Sequence, residues 1–426
     1  MKTRVLVFPC GTEIGLEINR SLGESSDIEL YGASSDSSNH GRFIFKNYVD
    51  GIPFTGDARL IGALNDLIEE HRIHFIYPAH DSVVTELSKQ SRHLKCPTIG
   101  SESRTCAICR SKLKTYDLFG SKVNVPRVYE DCAASLPYPV FLKPEEGQGS
   151  QGTHIANSQE EVDFYLHRDK SLFILEYLPG KEYTIDCFTD RHGRLRFSGG
   201  RERIRISKGI SVNTKPIQNS AFHEIAAIIN AQLSFRGTWF YQVKSRADGE
   251  LVLMEIAPRI AGSMGLYRNL GVNLPLLSVL DAMGIDVDPS PNEYEIEMDR
   301  ALTNRFNIKL GYEHVYLKLE NTVIHDDGVN PAVMRFLYQC INKGIKIHLM
   351  TQHSEDVKQL LHAHRLDSSF DNILTISKKD ELHTYITERP SIFITNELSE
   401  RQRIHNKLGI STFDTTSLEC LIDWRK

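Results

Sequence analysis

Apolar positions in the first hundred residues come in short runs separated by helical spacings. Arg4–Phe8 reads as a strand, the turn Gly11-Thr-Glu-Ile-Gly15 opens a helix to about Leu22, and Ile28–Ala33 reads as a second strand. Leu60–His71 carries apolar residues at helical intervals, and Phe75–Pro78 is a further strand. Strands alternating with helices predict a parallel sheet over residues 1–100, which the chain leaves at Pro97–Gly100.

Over residues 101–311 the pattern is mixed. Lys112–Phe119, Glu160–Leu166 and Phe222–Leu233 read as helices. Val140–Lys143, Leu172–Tyr177, Tyr183–Thr189 and Arg194–Ser198 read as strands. Thr238–Lys244 and Leu251–Ile256 flank the turn Ala247-Asp-Gly-Glu250, so they predict a hairpin in an α+β arrangement. Asp286–Glu297, rich in Asp, Pro and Glu, reads as a surface loop or linker.

Alternation returns over residues 312–426. Val315–Leu319, Ile345–Met350 and Ile392–Thr395 read as strands, and Ala332–Lys343, Ser354–Ala363 and Glu400–Leu408 as helices. This predicts a small doubly wound domain.

Composition narrows the class. A chain of 426 residues is long for one domain and suits two or three. The formal net charge of −5, without a basic block, argues against a nucleic-acid partner. The apolar run after Lys2-Thr-Arg4 is too short for a signal peptide, and no stretch approaches a membrane span, so a cytoplasmic protein is expected. The only CxxC, Cys106–Cys109, lacks a second pair or a His cluster and reads as two free thiols, with a redox pair as the alternative.

Three motifs carry chemistry. In Tyr138-Pro-Val-Phe-Leu-Lys-Pro144 a strand delivers Lys143. Gly147-Gln-Gly-Ser-Gln-Gly152 follows, and Gly147, Gly149 and Gly152 let backbone N–H groups approach a phosphate while Ser150 adds a hydroxyl. The Lys precedes the glycines, so this is no Walker A loop. Glu176-Tyr-Leu-Pro-Gly-Lys-Glu182 turns between two strands; its backbone could face an adenine edge and Glu182 ribose hydroxyls, or it could be an ordinary β-turn. Gln242 and Glu255 stand on the two strands of one hairpin and offer oxygens to a hard cation, with Arg259 able to hold a phosphate or carboxylate. Arg201, Arg203, Arg205 and Lys208 are either a substrate anion site or a solvated basic edge.

In this order the motifs resemble the ATP-grasp superfamily, nearest to the large subunit of carbamoyl-phosphate synthase and to biotin-carboxylase-like members. The resemblance implies a parallel pre-ATP-grasp domain at 1–100 and a two-lobed ATP-grasp domain at 101–311. It gives Lys112 and Lys143 to ATP phosphates, Glu176 and the backbone of Tyr177 and Leu178 to adenine, and Glu182 to ribose. It gives Gln242 and Glu255 to Mg²⁺ or Mn²⁺, and Arg259 to an acyl phosphate. Arg201 and Arg203 fall beside the acceptor site. The implied function is an ATP- and Mg-dependent ligase that activates a small carboxylate for attack by an amine, with no nucleic-acid or membrane partner and with room for a homodimer. The alternatives are an ATP-binding regulatory or scaffold protein without turnover, and a bicarbonate-activating enzyme of carbamoyl-phosphate type. Ala257 stands where the family has Asn, and Gln242 where many members have an acid, which weakens the metal shell.

Over residues 312–426, "VYLKLENTVI" resembles the first motif of haloacid-dehalogenase-like phosphatases, DxDxT. Lys318 and Glu320 replace the acids and Thr322 remains. Thr351 resembles the second motif, Lys378 or Lys379 the motif Lys, and Thr395-Asn396 replaces the final acids. An ammonium is neither the carboxylate nucleophile nor a metal ligand, so no phosphatase activity is expected.

Overall fold

The computed structural model describes residues 2–130, 136–147, 149–207, 209–301, 304–326, 328–352, 357–377 and 380–422. Lys208, Lys378 and Lys379, named above, lie outside these residues, as does the start of the helix expected from Ser354.

The chain first builds a parallel sheet from β1 (Thr3–Phe8), β2 (Ile28–Ala33), β3 (Asn47–Val49) and β4 (Phe75–Pro78), in the order β3-β2-β1-β4. Helices α1 (Glu13–Leu22), α2 (Leu60–His71) and α3 (Asp81–Lys89) cover it. Thr12 starts α1 by accepting the Gly15 N–H on Oγ1 at 3.0 Å, which satisfies one of the orphan donors of the first turn. The apolar stripe Ile14, Ile18, Leu22 then packs into one core with Leu266, Leu270 and Leu274. That packing sets the N-terminus of α1 beside the central domain.

Helices α4 (Ser103–Arg110) and α5 (Lys112–Phe119) lead to a small antiparallel sheet. It contains β5 (Val128–Tyr129), β6 (Val140–Pro144), β7 (His154–Ala156) and β8 (Leu172–Glu176), in the order β5-β8-β6-β7, with α6 (Gln159–Arg168) on one face. Val140, Leu142 and Ile174 bury toward Val162 of α6. The alternation of a strand then turns Lys143 to the opposite face.

A seven-stranded sheet follows: β9 (Glu182–Thr189), β10 (Leu195–Ser207), β11 (Ile210–Ile217), β12 (Gly237–Ser245), β13 (Leu251–Ala257), β14 (Glu295–Arg300) and β15 (Asn304–Lys309), in the order β13-β12-β9-β10-β11-β14-β15. Helices α7 (Ser220–Gln232), α8 (Gly265–Asn269) and α9 (Leu274–Ala282) pack with it. Two expectations need correction here. The strand ending near Ser198 runs on to Ser207 through a charged stretch, because Arg201 is buried against Asp186 of β9 at 2.7 Å. The expected loop Asp286–Glu297 ends inside β14, where Ile296 and Met298 are buried.

The last sheet is parallel. It holds β16 (His314–Lys318), then the short pair β17 (Ile324–His325) and β18 (Gly328–Val329) set apart from it, then α10 (Pro331–Asn342), β19 (Lys346–Thr351), α11 (Val357–Ala363), β20 (Asn372–Thr375), β21 (Ser391–Ile394), α12 (Leu398–Leu408) and β22 (Ser411–Phe413). The order β20-β19-β16-β21-β22 is doubly wound, with the strand order reversing between β16 and β21. Cys106 and Cys109 are free and buried in α4. No helix among the described residues is long and apolar enough to cross a membrane.

Candidate functional site

The three motifs meet in one cavity of about 390 Å³ between the small sheet, the seven-stranded sheet and the N-terminal sheet. That volume falls in the range of small-molecule sites. Its wall includes Lys112, Lys143, Gly147, Gly149, Ser150, Glu182, Gln242, Glu255, Arg259, Arg201 and Arg203. A larger groove of about 1100 Å³, between α4 and the β9–β10 turn, contains none of the motif residues.

Lys143 is buried, and its Nζ donates to the Tyr116 hydroxyl at 2.6 Å, which in turn donates to the Met254 carbonyl at 2.8 Å. Burial and the neighbouring Lys112 pull the Lys143 ammonium down to about 7, against the opposing pull of Glu255 and Glu182. Lys112 opens α5 after the Ser111 cap, and its Nζ reaches the Glu145 carbonyl at 3.3 Å. Burial lowers its pKa too, with Glu255 opposing. Among the described residues neither ammonium has a carboxylate within ion-pair distance. Two desolvated, unneutralised cations side by side are a site that a polyanion stabilises.

The glycine-rich loop matches this. Gly149 and Ser150 both adopt the left-handed backbone, at φ 59° and 54°. Left-handed backbone re-aims successive N–H groups and can form an anion-binding concavity. The tip of the β10–β11 hairpin presses on this loop: a Cβ on Gly209 would stand 2.2 Å from the Gly149 carbonyl carbon.

Gln242 and Glu255 are directly opposite on β12 and β13, so their side chains share one face of the hairpin. Ala257 faces Phe240 in the same ladder and offers no donor. Among the described residues no group of three His, Cys, Asp or Glu side chains is placed to hold a metal. Glu182 opens β9 and pairs with Arg203 at 3.2 Å, and Arg203 Nη2 donates to the Gly209 carbonyl at 2.7 Å.

Several expected roles change. Arg201 is fully enclosed: Nε donates to Asp186 at 2.7 Å and Nη1 to Ser263 at 2.8 Å, so its guanidinium is part of the wall rather than a free anion site. Arg203 is held by Glu182 and Gly209 in the same way. Arg259 is not an open fork, because Nε and Nη2 clamp Asp81 at 2.7 and 2.6 Å. Burial alone would raise the Asp81 carboxyl, but Arg259 holds it below its ordinary value. Glu176, Tyr177, Leu178 and Gly152 lie outside the cavity wall. The Glu176 carboxylate takes both Nε and Nη2 of Arg246, at 2.7 and 3.1 Å.

The structure also adds residues that no motif had marked. Thr12, Glu13, His80, Asp81, Lys244 and Arg300 line the same cavity. Glu13 lay in the Gly-rich turn already noted, but its partner Arg300 stands hundreds of residues away. No local pattern joins them.

At the crest of the last sheet, Lys318 Nζ donates to Glu397 at 2.7 Å and to Glu400 at 2.9 Å. Burial would lower its pKa, but these two carboxylates raise it. Glu320 accepts from Thr351 Oγ1 at 2.6 Å and from the Gln352 N–H at 2.8 Å.

Residues 168–303 match a family model described as ATP-grasp in the biosynthetic pathway with Ter operon. The arginine-specific large chain of carbamoyl phosphate synthase from Halalkalibacterium halodurans is 26% identical over 163 residues, covering 34% of this chain and only 15% of that relative's length. The biotin carboxylase domain of Hydrogenobacter thermophilus 2-oxoglutarate carboxylase, solved as a dimer with MgADP, ADP and bicarbonate, superposes with a TM-score of 0.58 at 15% identity, over 70% of this chain and 74% of that one. An ADP complex of N5-carboxyaminoimidazole ribonucleotide synthetase gives 0.57 at 16% identity, over 70% and 81%. The shared fold is ATP-grasp.

Proposed function

We infer that this chain, a member of the ATP-grasp superfamily, binds ATP with Mg²⁺ and activates a small carboxylate as an acyl phosphate for attack by an amine. The observation that carries the reading is the pair Lys112–Lys143, two desolvated ammonium groups without carboxylate partners, in the same cavity as the Gly149–Ser150 loop. The fold relatives described above were solved with ADP, and one with MgADP, which supports the nucleotide.

The donor set fits a hard cation only in part. Gln242 and Glu255 supply two oxygens on one face, and Mg²⁺ readily takes its remaining ligands from phosphate and water. Bound there, the ion would neutralise charge on the transferring phosphoryl group. This chain's own residues do the rest. Lys143 regains its proton beside the phosphates, and with Lys112 it holds the negative charge that develops on transfer. The loop N–H groups orient the terminal phosphate, and Glu182 with Lys244 lines the ribose side. Glu176, Tyr177 and Leu178 keep their adenine assignment from the motif alone. Arg259, clamped by Asp81, stiffens the wall and meets an acyl phosphate only if that clamp opens.

The sheets fall within residues 1–100, 101–311 and 312–426, which supports treating these spans as three domains. The ion-paired Lys318 supports a C-terminal domain without phosphatase chemistry, while a haloacid-dehalogenase-like origin rests on the motif resemblance and the doubly wound sheet.

The test is ADP release from MgATP with a panel of carboxylates, bicarbonate included, with and without amines. Release that needs both a carboxylate and an amine supports the ligase. Release with bicarbonate alone supports the carbamoyl-phosphate type. Tight ATP binding with no release anywhere supports a scaffold, the reading that Ala257 and the clamped Arg259 favour. Glu255→Gln removes a charged metal ligand and should lower turnover at least about a hundredfold, since a lost electrostatic contact of this kind costs a few kcal/mol in the transition state; unchanged turnover refutes the metal assignment.

A further inference from the structure

Three guanidinium–carboxylate pairs line the cavity, and they are built differently. Arg203 pairs with Glu182 and donates to the Gly209 carbonyl. Arg259 and Asp81 close on each other through two nitrogens and both oxygens, and Arg259 Nη1 donates to the Ile260 carbonyl. That pair is saturated. Arg300, at the end of β14, meets Glu13 through Nη2 and Oε1. Its side chain is 11% exposed, and Nη1 is buried without a partner among the described residues. Glu13 is more open, with its side chain 36% exposed. The turn after β13 is shaped to this carboxylate: a Cβ on Gly262 would lie 2.8 Å from Oε1. One unused donor beside one open carboxylate complements a ligand that carries a negative and a positive charge a few bonds apart.

We propose that Glu13 and Arg300 recognise the amine substrate, and that this substrate is an α-amino acid. Its carboxylate takes the free Nη1 of Arg300 and its ammonium takes the open oxygen of Glu13. The proposal deepens the ligase reading and rests on it. Arg201 is spent on Asp186 and Ser263, so it does not compete for the carboxylate. The step balances with these groups. Glu13 accepts one proton from the ammonium, and the freed nitrogen lone pair attacks the acyl carbon. The C–N bond forms, the C–O bond to phosphorus breaks, phosphate leaves with the bonding pair, and the second nitrogen proton passes to solvent.

The full chain, saturated with ADP and Mg²⁺, is titrated calorimetrically with each standard α-amino acid, and with ethylamine and acetate as the two half-ligands. At least one amino acid should bind, and neither half-ligand should. In Glu13→Gln, which keeps the shape, and Arg300→Lys, which keeps the charge but loses the fork, that affinity should fall about tenfold or more, while ADP binds as in the wild type. Binding of no amino acid, equal binding of ethylamine, or unchanged affinity in both variants overturns the proposal. The wild-type comparison decides even if a variant fails to fold. Absence of ADP binding in the wild type overturns the ligase reading instead, so the two failures are told apart.

Discussion

Lys143 concentrates the chemistry of the site into one proton. With its ammonium held to about 7 by burial and by Lys112, the empty site at pH 8 carries this side chain largely neutral. Phosphates arriving beside it restore the charge, so nucleotide binding should take up a proton above pH 7. Linkage then makes affinity fall about tenfold per pH unit over that range. Calorimetry in two buffers of different ionisation heat would show the uptake, and Lys143→Met should abolish it; a wild type without uptake would refute it. The sign for stability runs the other way. The unfolded chain keeps the proton to about 10.4, so from pH 7 upward the unfolded state binds more protons than the folded one. The contribution of Lys143 to stability therefore rises with pH across that window, and Lys143→Met should flatten the slope of the urea midpoint there.

Among the elements, the crest of the last sheet shows how a site is converted into a strut. Lys318 stands at the point where the strand order reverses, where doubly wound sheets usually bind ligands. Instead it ties β16 to α12 through Glu397 and Glu400. Lys318→Met leaves two carboxylates facing each other, and breaking a buried pair of this kind costs about 3–5 kcal/mol. Without the ammonium the Glu400 carboxyl, already raised by burial, rises further. The folded variant then binds more protons than the unfolded one, so its stability falls as pH rises. The loss of thermal stability should be larger at pH 8 than at pH 5, and an equal loss at both would refute the strut. Hydrolysis of p-nitrophenyl phosphate with Mg²⁺ by the wild type would refute the absence of phosphatase chemistry. Legibility follows the same logic. The hairpin carrying Gln242 and Glu255 was readable from its turn, but its register was not: the turn alone would set Gln242 against Met254, and a bulge between Gln242 and Val243 brings Glu255 opposite. The extension of β10 was not readable, because Arg201 is a core residue only by virtue of Asp186 on the next strand. Nor were the Asp81–Arg259 and Glu13–Arg300 pairs, which tertiary packing alone brings together.

At the scale of the whole molecule, one arginine on a helix packed against the antiparallel central sheet reaches the elements around both parallel sheets. Arg268 on α8 is fully buried; Nε donates to Glu17 of α1 at 3.0 Å, Nη1 to the Thr416 carbonyl at 2.8 Å and Nη2 to Glu419 at 2.6 Å. Around it Asn273 donates to the Ser21 carbonyl, Asn292 to the Thr412 carbonyl and Asn396 to the Glu24 carbonyl. The C-terminal sheet is thus bonded to both the N-terminal sheet and the α8–β14 connection that carries Arg300 toward the cavity. Arg268→Met should keep the volume but leave Glu17 buried with only Arg20, at 3.7 Å, for a cation. The cost is about 3–5 kcal/mol. It should be nearly independent of salt, because a buried pair is poorly screened, whereas an exposed pair such as Arg205–Asp299 is screened readily. In a urea series the wild type should lose nucleotide binding and protease resistance of residues 312–422 together. The variant should lose the protease resistance first, since Arg268 holds that part of the chain through the Thr416 carbonyl and Glu419. If both signals still moved together at the wild-type midpoint, the side-chain amide bonds rather than Arg268 would be what couples the layers.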